Sequence, residues 1–394
     1  PERLLGHRGA FATALVLAMG TGTFPGFAFG VLGPSLVTEL GLSRVELGLL
    51  TTVFFTIGGF GSLSAGRAVD RIGARRIMVA AFAAVAAALV AIAGAPSYPW
   101  LLVAAGAAGF SLAAGNPTTN KAVAEHLPPG SRGLTMGAKQ AGVQLGAFIA
   151  GVLLAPAATM WGWRQALLTS ALVPVLGIGL TLLAVPADQS ENVRGKREPR
   201  TKLPRIVHDL AIYAFLMGAA VAAVNAYLPL YAVERLAMSL PTAGAVAATI
   251  GFVGMVSRVL WGWGSERLAS YAIPLMVLSF GATVAIGAVL FAPALGAWVL
   301  WPAAVVFGAT AVTWNSVGML ALLDRVNSAD AGRASGIVLF GFYTGFVPSP
   351  LVFGAIVDVS DNYDIAWTVV LSVLVLAGAL VFYRHSGKGI TLWT

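Results

Sequence analysis

The stretch Gly66-Arg-Ala-Val-Asp-Arg-Ile-Gly-Ala-Arg-Arg76 packs four arginines and one aspartate into eleven residues between two long apolar runs. Lys and Arg are held on the cytoplasmic side as a membrane protein inserts, so a turn this basic between runs of membrane length marks a cytoplasmic loop. That single loop sets the side of every other one.

Outward from it, the whole 394-residue chain fits a membrane reading. A typical soluble domain is about a quarter charged, whereas this chain is 10% charged and 58% hydrophobic. A spanning helix needs about 20 apolar residues. Hydropathy and breaker residues give twelve such segments, at 10–36, 44–65, 77–94, 99–121, 134–158, 165–186, 207–231, 241–262, 271–292, 297–322, 334–357 and 364–383. The fold class expected is all-α and integral to the membrane, with the lipid bilayer as its first partner.

The formal net charge of +8 does not indicate nucleic acid. Arg67 to Arg76, Arg132, the run Arg194 to Arg205, Arg267, Arg325, Arg333, Arg384 and Lys388 fall on one side of the twelve segments. Only Arg44, Arg164 and Arg235 fall on the other, and that asymmetry is topology. With an even number of spans, both termini are expected in the cytoplasm. The chain has no cysteine, which rules out disulfides and thiolate metal sites. No cleavable signal peptide is expected, since the first apolar run is too long for one. No metal, no cofactor and no enzyme chemistry are read from the residues, and no P-loop pattern suggests ATP.

Residues 188–206 are charged and proline-bearing, a solvated linker between residues 1–187 and 207–394. The two flanks repeat one another. An offset of 196 sets Gly58 on Gly254, Gly66 on Gly262, Asp70 on Glu266 and Arg71 on Arg267; an offset of 199 sets Gly137 on Gly336, Gly142 on Gly341 and Gly146 on Gly345. Halves related in this way are parallel repeats about an axis along the membrane normal. A substrate site is then expected near mid-membrane where they meet.

Gly66, Asp70, Arg71, Gly73, Arg75 and Arg76 resemble the loop joining helices 2 and 3 in the major facilitator superfamily of transporters, with Ala74 where that family often has arginine. The resemblance implies twelve transmembrane helices in two pseudo-symmetric six-helix bundles that work by alternating access. It also implies a gating role for Gly66, Asp70, Arg71, Gly73 and Arg75, and for Glu266 and Arg267 in the repeat. Carboxylates favour helix N-termini. The family arrangement implies that Asp70 packs at the cytoplasmic start of segment 11 around Gly332-Arg333, and that Glu266 does the same for segment 5 around Arg132-Gly133.

Charged groups inside a membrane face the bundle interior or a wet cavity. Arg258 stands about 10 Å above the cytoplasmic end of its helix at 1.5 Å per residue, and its planar fork matches a carboxylate. The pattern Gly254-x-x-x-Arg258-x-x-x-Gly262-x-x-x-Glu266-Arg267 resembles the helix 8 region of the oxalate–formate and monocarboxylate branches of the superfamily. There an arginine is implicated in binding carboxylate; in other branches a similar arginine belongs to the cytoplasmic gate. Lys139 reads as a residue that snorkels to the interface, with the role of a second cation left open. Asn116, Asn120, Gln140, Gln144, Asn225, Asn315 and Tyr343 are candidate donors and acceptors of the cavity, with interhelical bonding the competing role.

The embedded charges are positive, and no Asp, Glu or His lies in the middle of a segment. The expectation is a secondary active or facilitative transporter of a small organic anion, with a monocarboxylate as its type case. A co-transported proton and an exchanged anion both stay open, as does uniport. The setting expected is a bacterial-type inner (plasma) membrane. The alternatives are efflux of lipophilic drugs, which lacks its usual acidic residue here, and a neutral sugar or nucleoside read by the Asn and Gln side chains. A non-transporting receptor would need a soluble domain that these loops do not provide.

Overall fold

The computed structural model describes residues 2–128, 132–188, 202–265, 267, 270–327 and 330–386. Among them there is no strand, and twelve helical spans are long and apolar enough to cross a bilayer. Spans 1 to 6 are Gly9–Val31, Arg44–Ser62, Ala74–Ala93, Tyr98–His126, Thr135–Trp161 and Trp163–Ala184. Spans 7 to 12 are Arg205–Glu234, Leu240–Ser265, Ala272–Leu295, Ala297–Leu323, Ala331–Ser360 and Tyr363–Ser386. They follow the twelve expected segments in order.

Span 1 stops earlier than hydropathy suggests. Its helix runs through Pro25 and ends at Val31, and a separate helix, Gly33–Leu40, begins with Pro34 in its first turn. A proline lacks the N–H that a first turn leaves unpaired anyway, so it starts a helix more readily than it continues one. Four further spans are irregular. Span 5 carries a π-helical turn at Ala150–Leu154, span 6 breaks at Ala171, span 10 carries a 3-10 turn at Ala311–Thr313, and span 11 restarts at Pro348.

The chain divides into two compact units. The first comprises Pro1–Leu42, Leu49–Asn192 and Leu240–Ala248; the second comprises Ser43–Gly48, Val193–Ser239 and Thr249–Thr394. In the first, span 1 packs along span 5, and span 3 packs on spans 4 and 6. In the second, span 7 packs along span 11, and span 9 packs on spans 10 and 12. The internal pairings therefore correspond one to one under the sequence repeat.

Glycine explains the tightest of these pairings. A Cβ on Gly142 would collide with the Val16 carbonyl, and one on Gly146 would lie 2.7 Å from the Gly20 carbonyl oxygen. In the second unit, a Cβ on Gly341 would strike the Ala211 carbonyl and one on Gly345 the Phe215 carbonyl. Gly142 and Gly146 are the repeat partners of Gly341 and Gly345, so both pairs let one backbone lie against another.

The basic loop is built differently from its neighbours. The helix Arg44–Ile72 carries Gly66 and Asp70 within it, and the chain turns at Gly73, whose φ of 105° suits glycine. The next helix starts at Ala74, and its cap comes from far along the chain: Asp188 accepts from the Arg75 N–H at 2.8 Å and the Arg76 N–H at 3.3 Å. A carboxylate at a helix N-terminus satisfies otherwise unpaired donors. Replacing Asp188 with Ala should lower unfolding stability by about 0.5–2 kcal/mol, the range for a lost cap, measured as a fall in melting temperature in detergent.

Candidate functional site

In the second unit, Arg258 turns toward span 10 at its irregular turn. Its Nη2 donates to the Val312 carbonyl at 3.2 Å, and Trp261, one turn further along span 8, donates its indole N–H to the Ala309 carbonyl at 2.8 Å. Both acceptors lie at or beside the 3-10 stretch Ala311–Thr313, where a change in helix type leaves carbonyls available to outside donors. Gly254 and Gly308 allow the approach: a Cβ on Gly308 would meet the Ile250 carbonyl oxygen at 2.7 Å.

A guanidinium carries five N–H donors. The Nε of Arg258 is buried with no partner, and no carboxylate pairs with this residue among the described residues. Tyr343 is half-buried on span 11 of the same unit, edge-on to the Phe342 ring. Asn315 lies two residues beyond the irregular turn, after Trp314, and its Oδ1 is buried without a partner. One of the five donors of Arg258 is engaged, since Nη2 holds the Val312 backbone carbonyl.

In the first unit, Lys139 does not snorkel. It is 1% exposed, and its Nζ donates inward to Thr119 Oγ1 at 3.0 Å and Asn116 Oδ1 at 3.2 Å. The reason is geometric: Asn116 and Thr119, one turn apart on span 4, present two acceptors to the buried face of span 5. Among the described residues no hydrogen bond joins Asn120, Gln140, Gln144 or Asn225 to either cation. Gln144 is buried, Gln140 and Asn225 are half-buried and Asn120 is exposed.

The described loop residues have these partners. Asp70 is 80% exposed and forms its ion pair with Lys121 at 3.9 Å. Lys121 also donates to the Val69 and Asp70 carbonyls, at 2.9 and 3.3 Å, as a cation at the C-terminal end of a helix should. Arg75 donates to the Leu182 carbonyl at 2.5 Å, Arg71 is exposed, and Gly66 has nothing within 4 Å of its Cβ position. Arg267 stacks over the Trp263 ring at 3.8 Å. Glu266 lies outside the described residues.

One cluster escaped the sequence reading. In the second unit, Asp358 accepts from the Arg44 and Val45 N–H groups at 3.1 and 2.8 Å, capping the helix that opens at Arg44. The Arg44 guanidinium meets Glu234 at 3.1 Å, and Glu234 accepts from the Tyr363 hydroxyl at 2.6 Å. The Tyr227 hydroxyl lies 2.5 Å from the Arg44 carbonyl oxygen and 2.9 Å from that of Pro350. These partners are separated by 123 to 314 residues in sequence, so no local pattern signals them.

Comparison with known proteins bears on all of this. Residues 10–350 match the family model of the Major Facilitator Superfamily. The chain is 29% identical over 391 residues to a probable nitrate/nitrite transporter, NarK2, of Mycobacterium tuberculosis, covering 94% of each. It is 30% identical over 175 residues to a gallate transporter of Pseudomonas putida, covering 44% of this chain and 39% of that one. Among solved structures, a bacterial homologue of the human lysosomal transporter Spinster superposes with a TM-score of 0.79 at 17% identity, covering 95% of this chain and 96% of that one. The nucleoside transporter NupG gives 0.79 at 13% identity, covering 94% and 99%. Those two likenesses speak for the fold alone. With its twelve helical spans and a family match over most of its length, this chain belongs to the Major Facilitator Superfamily and is a membrane transporter, not an enzyme.

Proposed function

We propose that this transporter carries a small organic anion, with a monocarboxylate as the type case, and that Arg258 receives the carboxylate. The observation that carries the reading is a membrane-embedded guanidinium with a buried, unpartnered Nε and no acidic partner among the described residues. A charge so placed is expensive and marks a substrate path by default. The buried carboxylates of the second unit among the described residues, Asp209 and Asp330, pair with Arg384 at 3.0 Å and Arg333 at 3.9 Å and are not Arg258's counter-ions. The cargoes that the relatives' names give, nitrate, nitrite and gallate, are anions or acids, which supports an anionic cargo. Asn315 and Tyr343 flank the arginine's carboxylate, and Asn116, Asn120, Gln140, Gln144 and Asn225 supply further contacts. The halves 1–187 and 207–394 alternate about this solute in a bacterial inner membrane, with both termini cytoplasmic and the loop around Asp70 and Arg71 acting as the cytoplasmic gate. Gradients of the anion, of an exchanged anion or of protons drive the cycle.

Proteoliposomes preloaded with unlabelled carboxylates should take up the labelled acid, and neutral sugars and lipophilic cations should not compete. Uptake of a sugar or a cation with no carboxylate transport would overturn the assignment.

A further inference from the structure

Spans 1, 3 and 4, all in the first unit, enclose a small cavity. The centre of a water molecule has about 10 Å³ to move in there, which is room for one water. Span 3 walls it with apolar side chains, Met78, Ala81 and Phe82, whereas spans 1 and 4 bring three hydroxyl residues, Thr21, Ser111 and Thr118. Those three are all buried. The backbones of spans 1 and 4 meet beside them, where a Cβ on Gly22 would lie 3.3 Å from the Ser111 carbonyl oxygen.

The three hydroxyls are not alike. Thr21 donates to the Leu17 carbonyl at 2.8 Å and Ser111 to the Ala108 carbonyl at 2.6 Å. Each has therefore committed its one hydrogen to its own helix and keeps lone pairs to accept with. Thr118 makes no such bond, and its Oγ1 is buried without a partner. Its neighbour Thr119 does bond back, to the Gly115 carbonyl at 2.7 Å. A buried hydroxyl with no partner is costly, and native structures satisfy such groups with protein or ordered water. No charged side chain lines the cavity, so its guest is neutral.

We propose that this cavity binds one structural water, which accepts from Thr118 and donates to Thr21 and Ser111. One donor and two acceptors match a water's lone pair and two hydrogens, and three bonds are typical of a buried water. An apolar guest would leave Thr118 unsatisfied, and a larger polar one does not fit. The water joins span 1 to span 4 beside their closest approach. The assignment is independent of the cargo.

Radiolytic footprinting of the purified full-length transporter reads the site directly, because hydroxyl radicals formed from a bound water oxidise the side chains that touch it. Met78 is 1% exposed and Met217, in the second unit, 0%, so burial alone would protect both alike. In wild type and in Thr118→Ser, Met78 should oxidise several times faster than Met217; Thr118→Val should lose most of that excess. Melting temperature supplies an independent sign. With the water bound, Thr118→Val removes its donor and should melt a few degrees below wild type. With the cavity dry, the same change deletes an unpartnered buried hydroxyl and should melt at or above wild type. Wild-type Met78 as protected as Met217 overturns the site whatever the variants do. So does a Thr118→Val protein that melts at or above wild type, or one that keeps the full labelling of Met78.

Discussion

Arg258→Gln should abolish carboxylate transport while leaving a folded, monodisperse protein. Removing one partner of a buried, hydrogen-bonded charge pair weakens binding by roughly 2–5 kcal/mol, or about thirtyfold to several thousandfold in affinity. Glutamine keeps a polar side chain at the position without its charge, so a folded protein that has lost uptake reads on substrate. Arg258→Lys keeps the charge and removes the planar fork; it should transport poorly, with most of the defect in affinity. If the guanidinium served only to fasten span 8 to the irregular turn of span 10, both variants would lower the melting temperature and keep uptake. Retained uptake in either variant takes the arginine out of substrate binding. Labelled-acid uptake beside a melting curve on the same preparation separates the two roles.

The spans were legible because lipid leaves little choice: runs of about 20 apolar residues separated by charge, glycine and proline translate directly into helices. What the residues could not show is which groups meet across long loops. Asp188 reads as part of a solvated charged linker, yet it caps a helix 113 residues earlier. The clamp on Arg44 joins residues up to 314 apart. Lys139 was read by its distance from the helix end, which measures reach and not direction; the acceptors on span 4 decide that it turns inward. The irregular turn of span 10 falls on Ala311-Val312-Thr313, with no proline or glycine to announce it, so the carbonyl that receives Arg258 had no sequence signal. The repeat was the more informative reading, because it matched glycines whose environments the structure then shows to be alike.

That likeness yields a prediction with a built-in control. Gly142→Leu and Gly341→Leu should each prevent assembly of a stable protein, with a loss of about 3 kcal/mol or more. At both positions the first added carbon meets a carbonyl of the facing backbone, Val16 or Ala211, and backbone cannot step aside as the end of a side chain can. Alanine at the same sites adds only that carbon and should cost about 1–3 kcal/mol. Gly137 and Gly336 are also repeat partners, on the same two spans, but nothing lies within 4 Å of either Cβ position. Gly137→Ala and Gly336→Ala should therefore be neutral or stabilising, since alanine is favoured over glycine by about 1 kcal/mol in a helix. Yield of monodisperse protein and melting temperature measure all six variants on one scale. Should Gly142→Leu or Gly341→Leu melt like wild type, the close backbone contacts of spans 1 with 5 and 7 with 11 are not what holds each unit together, and the repeat's glycines lose their physical explanation.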